Sequence, residues 1–273
     1  MTRIAIPNET CPQDQRTAMT PINVGKLVRA GAEVLVESGL GAGCGYADEE
    51  YRAAGAGLVG GRSELLEAAD LVLRLNKPGG DEVAQLQPGG VHSSFLDPFN
   101  VRALVEALRD RQVSAVSMEM VPRTTRAQKL DALRSQASLA GYVMTIQAAN
   151  RRNRILPMMM TPSGTIKPAR VFVIGAGVAG LQAIATAKRL GARVTAFDTR
   201  DVVAEQVESL GANFLQIDLG ETGQTENGYA RQLTAEQLAR QQQGQAEEIV
   251  RSDIVITTAQ VFGRKPPLLV TGE

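Results

Sequence analysis

The stretch from Arg170 to Asp198, RVFVIGAGVAGLQAIATAKRLGARVTAFD, constrains this chain more than any other stretch of it. Val171, Phe172, Val173 and Ile174 form a short, continuous apolar run, as a buried parallel strand requires. Gly175, Gly177 and Gly180 follow in G-x-G-x-x-G spacing. Val178, Leu181, Ile184 and Ala185 then fall on one face of a helix. Lys188 and Arg189 sit in its last turn and Gly191 caps it. A second strand, Arg193 to Phe197, ends at Asp198.

Each feature has a physical task. Gly175 permits a tight turn out of the strand, Gly177 lets backbone approach a pyrophosphate, and Gly180 lets helix and strand pack closely. The helix N-terminus offers unpaired N–H groups and a partial positive charge. Asp198 follows Gly180 at close to the spacing of about 20 residues expected for an acid on the adenosine ribose. The bland alternative is a glycine-rich turn between two core strands, but strand, glycines, helix, second strand and terminal acid occur together. The pattern predicts dinucleotide binding through Gly175, Gly177, Val178, Gly180, Asp198, Thr199 and Arg200. A carboxylate accepts hydrogen bonds from a 2′-hydroxyl and repels a 2′-phosphate, so NAD(H) is favoured over NADP(H). Arg200 reads as an adenine or ribose neighbour, or as a solvated helix-start residue.

The 273 residues suit two α/β domains rather than one small core. The charge balance is zero, which gives no sign of a nucleic-acid partner. Cys11 and Cys44 make neither a disulfide framework nor a metal site, and they fit a reducing compartment. With His92 as the single histidine, histidine-based metal sites and dyads are excluded. No stretch approaches the ~18 apolar residues of a membrane span, so direct membrane insertion is not expected.

Residues 1–125 read as an N-terminal α/β domain. Strand-like runs (4–6, 34–36, 71–73, 91–96 and 113–121) alternate with helical ones (21–31, 46–55, 62–69, 80–87 and 100–111). Such alternation predicts a parallel, doubly wound sheet. Thr20 is a candidate N-cap ahead of Pro21. The glycines of GLGAGCGY at 39–46 lack a pyrophosphate spacing and read as a flexible strand-to-helix loop. A long helix over 126–150 begins a bridging segment of residues 126–169, in which Met158, Met159 and Met160 suit packing at an interface. From 170 to 273 comes the Rossmann domain, with a third strand at 214–218, a polar mobile loop, a helix whose capping box is Thr234 and Gln237, and a fourth strand at 254–259. A full domain of this type has about six strands. Four are legible, with Leu268 to Val270 at best a stub, so the expectation is a second domain lacking its last strands.

The chain resembles the NAD(H)-binding domain of the alpha subunit of proton-translocating NAD(P) transhydrogenases, relatives of alanine dehydrogenase. The resemblance rests on RTAMTP at 16–21, VPRTTRAQKLD at 121–131, LAGY at 139–142, PMMMT at 157–161, the run 175–192, EQVESLGA at 205–212, GYA at 228–230 and DIVITTA at 253–259. It implies that NADH passes its hydride directly to NADP⁺ held on a partner domain, coupled to proton movement through a membrane-spanning component on other chains. It implies an enzyme of the Re/Si-specific, proton-translocating type, active only with partner subunits. It further implies a homodimer lying peripherally on the cytoplasmic face of the cell membrane. Arg123 and Asp131 would hold the nicotinamide end, with Arg126 and Ala127 in the same binding loop, and Gln128 would reach toward the partner nucleotide. Tyr229 would close over bound nucleotide, and Gly228, Gln241 and Ala259 would line its adenine and ribose side. Arg134 stands where the family usually has a serine. Without the resemblance, Thr125 and Gln128 read as a capping box, Asp131 as a first-turn acid and Gln241 as a helix-surface residue.

Two rival readings remain at this level. Alanine dehydrogenases use a carboxylate-binding arginine, matched by Arg16, with a lysine and a histidine. The strand LVLRLN offers Arg74 with Lys77 nearby, and Asp97 falls about where the histidine would be, so the acid–base machinery is missing. A non-catalytic NAD-binding fragment is the other.

Overall fold

The computed structural model describes residues 1–11, 13–122, 124, 126–220, 233–259 and 268–270. The chain forms two units, Met1–Asp131 and Ala132–Glu273. Both are α/β, each built on a parallel sheet.

The first unit runs β1 (Arg3–Ile6), α1 (Pro21–Arg29), β2 (Glu33–Glu37), α2 (Asp48–Ala53), β3 (Gly57–Val59), α3 (Arg62–Glu67), β4 (Leu71–Asn76), α4 (Gly80–Val83), β5 (Val91–Phe95), α5 (Arg102–Asp110) and β6 (Ser114–Ser117). Its six parallel strands lie in the order β3-β2-β1-β4-β5-β6. β1 explains why a parallel sheet results. Ile4 and Ile6 pack with Val24 and Tyr51 on one face, whereas Ala5 packs with Leu65, Leu66 and Leu108 on the other. A strand buried on both faces carries no polar alternation and needs helical crossovers on each side.

Several details differ from the sequence reading. β3 is a strand that was not expected, because Gly57-Leu58-Val59 is too short to stand out from its glycine-rich surroundings. The sixth strand stops at Ser117 and gives way to a 3-10 turn at Met118–Met120. Thr20 precedes Pro21 but makes no side-chain cap; its carbonyl accepts from Asn23 and Val24 instead. The loop at 39–45 is packed rather than flexible. A Cβ on Gly41 would lie 2.6 Å from the Tyr46 side chain, and one on Gly43 would lie 2.6 Å from the Gln15 carbonyl oxygen.

The second unit begins with α6 (Ala132–Arg151) and a hairpin, β7 (Met159–Thr161) with β8 (Gly164–Ile166). The hairpin sits inside what reads as an irregular connector, since Pro157, Pro162 and Pro168 mask it. Then come β9 (Arg170–Ile174), α7 (Val178–Arg189), β10 (Arg193–Phe197), α8 (Ala204–Ser209), β11 (Asn213–Phe214), α9 (Ala235–Arg251) and β12 (Ile254–Thr257). Among the described residues this sheet has four parallel strands, ordered β11-β10-β9-β12. Val171 and Val173 face Ala183, Ile184 and Ala187; Phe172 and Ile174 face Phe197 and Leu219 on the opposite side. β11 covers only Asn213–Phe214, shorter than the run expected at 214–218, and residues 268–270 are not in a strand. α6 starts at Ala132 rather than 126, because a separate 3-10 turn at Gln128–Leu130 precedes it. α6 lies tightly on α7: a Cβ on Gly141 would come within 2.1 Å of the Ala179 carbonyl oxygen.

Candidate functional site

The second sheet reverses its strand order between β9 and β12, and ligands of such sheets bind outside the carboxyl ends of the strands at that point. Gly175 stands there with φ +100°. A Cβ on it would meet the Thr258 hydroxyl at 2.8 Å and the Ala259 amide at 3.0 Å. The two strand ends are tied together: Thr258 N–H donates to the Ile174 carbonyl at 2.8 Å, and its hydroxyl donates to the Gly175 carbonyl at 2.9 Å. Thr258 is a residue that sequence reasoning missed. Its signal is the second threonine of Ile254-Val255-Ile256-Thr257-Thr258, one step before Ala259.

Gly177 is the N-cap of α7, and Val178 is its first helical residue. Among the described residues a Cβ on Gly177 would meet nothing within 4 Å, so they leave the space beside this helix N-terminus open. Gly180, one turn in, is the opposite case: a Cβ there would lie 1.8 Å from the Gly175 carbonyl oxygen. The space that the described residues leave at Gly177, the N–H groups of the first helical turn and the helix dipole together fit a diphosphate.

Asp198 directly follows β10 and is 8 % exposed. Its Oδ2 accepts from the Ala176 N–H at 2.7 Å, which fixes the acid against the glycine turn. Arg200 takes up the rest of the carboxylate. Its Nε donates to Oδ1 at 2.9 Å, its Nη2 to Oδ2 at 2.8 Å, and its backbone N–H to Oδ1 at 3.0 Å. The Asp198 hydrogen bond holds the Arg200 guanidinium pKa above its ordinary value. Arg200 is therefore an ion-pair partner of Asp198, not a solvated helix-start residue. Thr199 lies half-buried between them.

Gln241 is 3 % exposed on the inner face of α9, which corrects its reading as a surface residue. The capping box at the start of α9 is formed as expected: Gln237 N–H donates to Thr234 Oγ1 at 3.2 Å, and Thr234 N–H to Gln237 Oε1 at 2.9 Å. Arg123, Thr125, Gly228 and Tyr229 lie outside the described residues, as does the rest of the loop at 221–232.

In the first unit, Arg126 and Gln128 are exposed and Ala127 is half-buried, in successive tight turns closed by Ala127 N–H to the Thr124 carbonyl and Leu130 N–H to the Ala127 carbonyl. Asp131 ends this turn and precedes α6, so it is not a first-turn residue of that helix. Elsewhere in this unit Arg16 is gripped by Asp14, with Nε to Oδ1 at 2.8 Å and Nη2 to Oδ2 at 2.6 Å. Arg16 drives the Asp14 carboxyl far below the usual range. Lys77 pairs with Asp97 at 3.6 Å. His92 is fully buried against Ser94, and burial lowers its pKa to about 4. Among the described residues no cluster of three or more His, Cys, Asp or Glu side chains could hold a metal, and no helix is long and apolar enough to cross a membrane.

Residues 5–140 match the family described as alanine dehydrogenase/PNT, N-terminal domain, and residues 144–273 match alanine dehydrogenase/PNT, C-terminal domain. The chain is 45% identical to the first segment of the NAD(P) transhydrogenase alpha subunit of Rhodospirillum rubrum, over 99% of the chain and 72% of that protein. A solved transhydrogenase structure from Sinorhizobium meliloti aligns with a TM-score of 0.87 at 41% identity, covering 99% of this chain and 73% of that one. The alanine dehydrogenase of Mycobacterium tuberculosis is 32% identical over 98% of the chain and 67% of its own length.

Proposed function

The chain belongs to the alanine dehydrogenase/PNT family, and on that premise we propose that it is the NAD(H)-binding component of a proton-translocating NAD(P) transhydrogenase. The observation that carries this reading is the α7 N-terminus at Gly177, which the described residues leave open, beside Asp198 fixed on the glycine turn. The α7 N-terminus would hold the diphosphate, and Asp198 would hold the adenosine ribose. Gly228, Gln241 and Ala259 would line the same half, and Tyr229 would close over it. Arg123, Arg126, Ala127 and Asp131 orient the nicotinamide end, and Gln128 faces the partner nucleotide. When bound, NADH would supply a hydride to NADP⁺ held on a partner domain. Direct transfer between two nicotinamides needs no general acid or base, so these residues bind, orient and exclude water.

The higher identity to the transhydrogenase relative supports this branch over alanine dehydrogenase. So does the first unit, where Asp14 already occupies Arg16 and Asp97 pairs with Lys77.

The partners are the NADP(H)-binding and membrane-spanning domains carried on other chains, which hold this component at the cytoplasmic membrane face. A second copy of the chain is the other partner. α6 exposes Leu139, Tyr142, Val143 and Ile146 along one stripe, and Met159, Met160 and Ile166 of the hairpin are exposed as well. An apolar stripe of this kind suits a subunit interface.

NADH titration by fluorescence, with NADPH as control, tests the binding reading. Saturable NADH binding without comparable NADPH binding is the expected result. Transfer is then assayed by adding the NADP(H)-binding and membrane domains of a transhydrogenase relative. A folded chain that binds neither nucleotide overturns the proposal.

A further inference from the structure

We propose that Arg200 is a specificity-determining residue that acts by competing with the nucleotide for Asp198. This rests on the nucleotide-binding reading above and deepens it.

A carboxylate has about four lone-pair positions for donors. All four on Asp198 are taken: Oδ1 by the Arg200 N–H and Nε, Oδ2 by the Ala176 N–H and Arg200 Nη2. The two backbone donors are fixed by the fold. The two guanidinium donors belong to a side chain that can move, and they make the planar, two-point grip that arginine forms with carboxylates. The pair is mostly shielded from solvent, with side-chain exposures of 17% for Arg200 and 7% for Asp198.

Two consequences follow. A ribose 2′-hydroxyl reaches Asp198 only by displacing the guanidinium, so the fraction of molecules with an open carboxylate scales the apparent NADH affinity. The same guanidinium neutralises the charge that would repel a 2′-phosphate. Asp198 with Arg200 therefore discriminates between NADH and NADPH less sharply than Asp198 alone.

The test is a set of dissociation constants for NADH, for NADPH and for NADH lacking the adenosine 2′-hydroxyl. They are measured on the full chain and on Arg200→Ala and Arg200→Lys, each checked for folding by circular dichroism. Arg200→Ala should bind NADH about 2-fold to 10-fold more tightly and NADPH no more tightly, widening the ratio. The gain should vanish with the 2′-deoxy nucleotide. Arg200→Lys, a point charge without the two-point grip, should fall between wild type and Arg200→Ala. Weaker NADH binding by both folded variants, or an unchanged NADH-to-NADPH ratio, overturns the competition proposal alone. Failure of the wild-type chain to bind NADH at all overturns the nucleotide-binding reading and this proposal with it.

Discussion

The Gly175 carbonyl oxygen and the backbone of Gly180 approach so closely that a single methyl group on residue 180 would lie 1.8 Å from that oxygen. Gly180→Ala should therefore displace α7 from β9 and cost on the order of 1–3 kcal/mol of stability, as overpacked cores do. Gly177→Ala is the matched control. Its φ of −77° suits alanine, and among the described residues a Cβ there meets nothing within 4 Å. Urea unfolding should show Gly177→Ala close to wild type and Gly180→Ala clearly weakened, while NADH affinity should fall in both.

Asp198 does two jobs, holding the glycine turn through the Ala176 N–H and presenting a carboxylate to the ribose. Asp198→Asn keeps the shape and removes the charge. It should leave Arg200 with an uncompensated charge and weaken NADH binding about tenfold, the order expected for a hydrogen bond to a charged group. Isothermal titration checks it, and unchanged affinity would remove Asp198 from the site.

His92 is the only histidine of the chain, it is fully buried, and its pKa is about 4. Burial is the first cause, and the nearby Arg74 charge adds to it; Glu82 opposes both. The unfolded chain binds a proton near pH 6.5 and the folded chain does not until near pH 4. The stability contribution is thus fully present above about pH 6.5 and is lost as pH falls toward 4, by about 3 kcal/mol in all. Stability measured in urea between pH 7 and 4.5 should fall more steeply for wild type than for His92→Gln. Parallel slopes would contradict the buried neutral state.

Gln128 is exposed in its turn. Gln128→Asn should leave NADH affinity within about twofold, as a surface change does, while slowing transfer to NADP⁺ on added partner domains. Loss of NADH binding itself would show that Gln128 belongs with the NADH-holding residues.

The exposed stripe on α6 should close in a dimer. Ile146→Asp together with Tyr142→Lys should yield a monomer by light scattering, with the melting temperature of the diluted wild-type chain. A wild-type chain that is monomeric at all concentrations would remove the stripe as an interface.

The sequence by itself determines the β9–α7–β10 unit nearly to the residue. There every local choice agrees: the apolar run, the glycine spacing, the helical face, the cationic last turn and Gly191, whose φ is +86°. It likewise marks five of the six first-unit strands and the cap of α9. Short elements escape it. β3 and the 159–166 hairpin have three-residue strands, held by pairing partners that lie elsewhere in the fold or by a turn set among prolines. Helix onset at Ala132 rather than 126 escapes it too, because a helix and a string of 3-10 turns share the same residue preferences. Only the tertiary structure decides how the polar groups are spent. Side chains of one type, such as Gln241 and Gln128, differ wholly in burial because one faces a sheet and the other solvent. That Asp198 is also bound by the Ala176 N–H, on another strand end, depends on the turn of Gly175. Periodicity records which face of an element is apolar, but not which donors the folded chain brings to one acceptor.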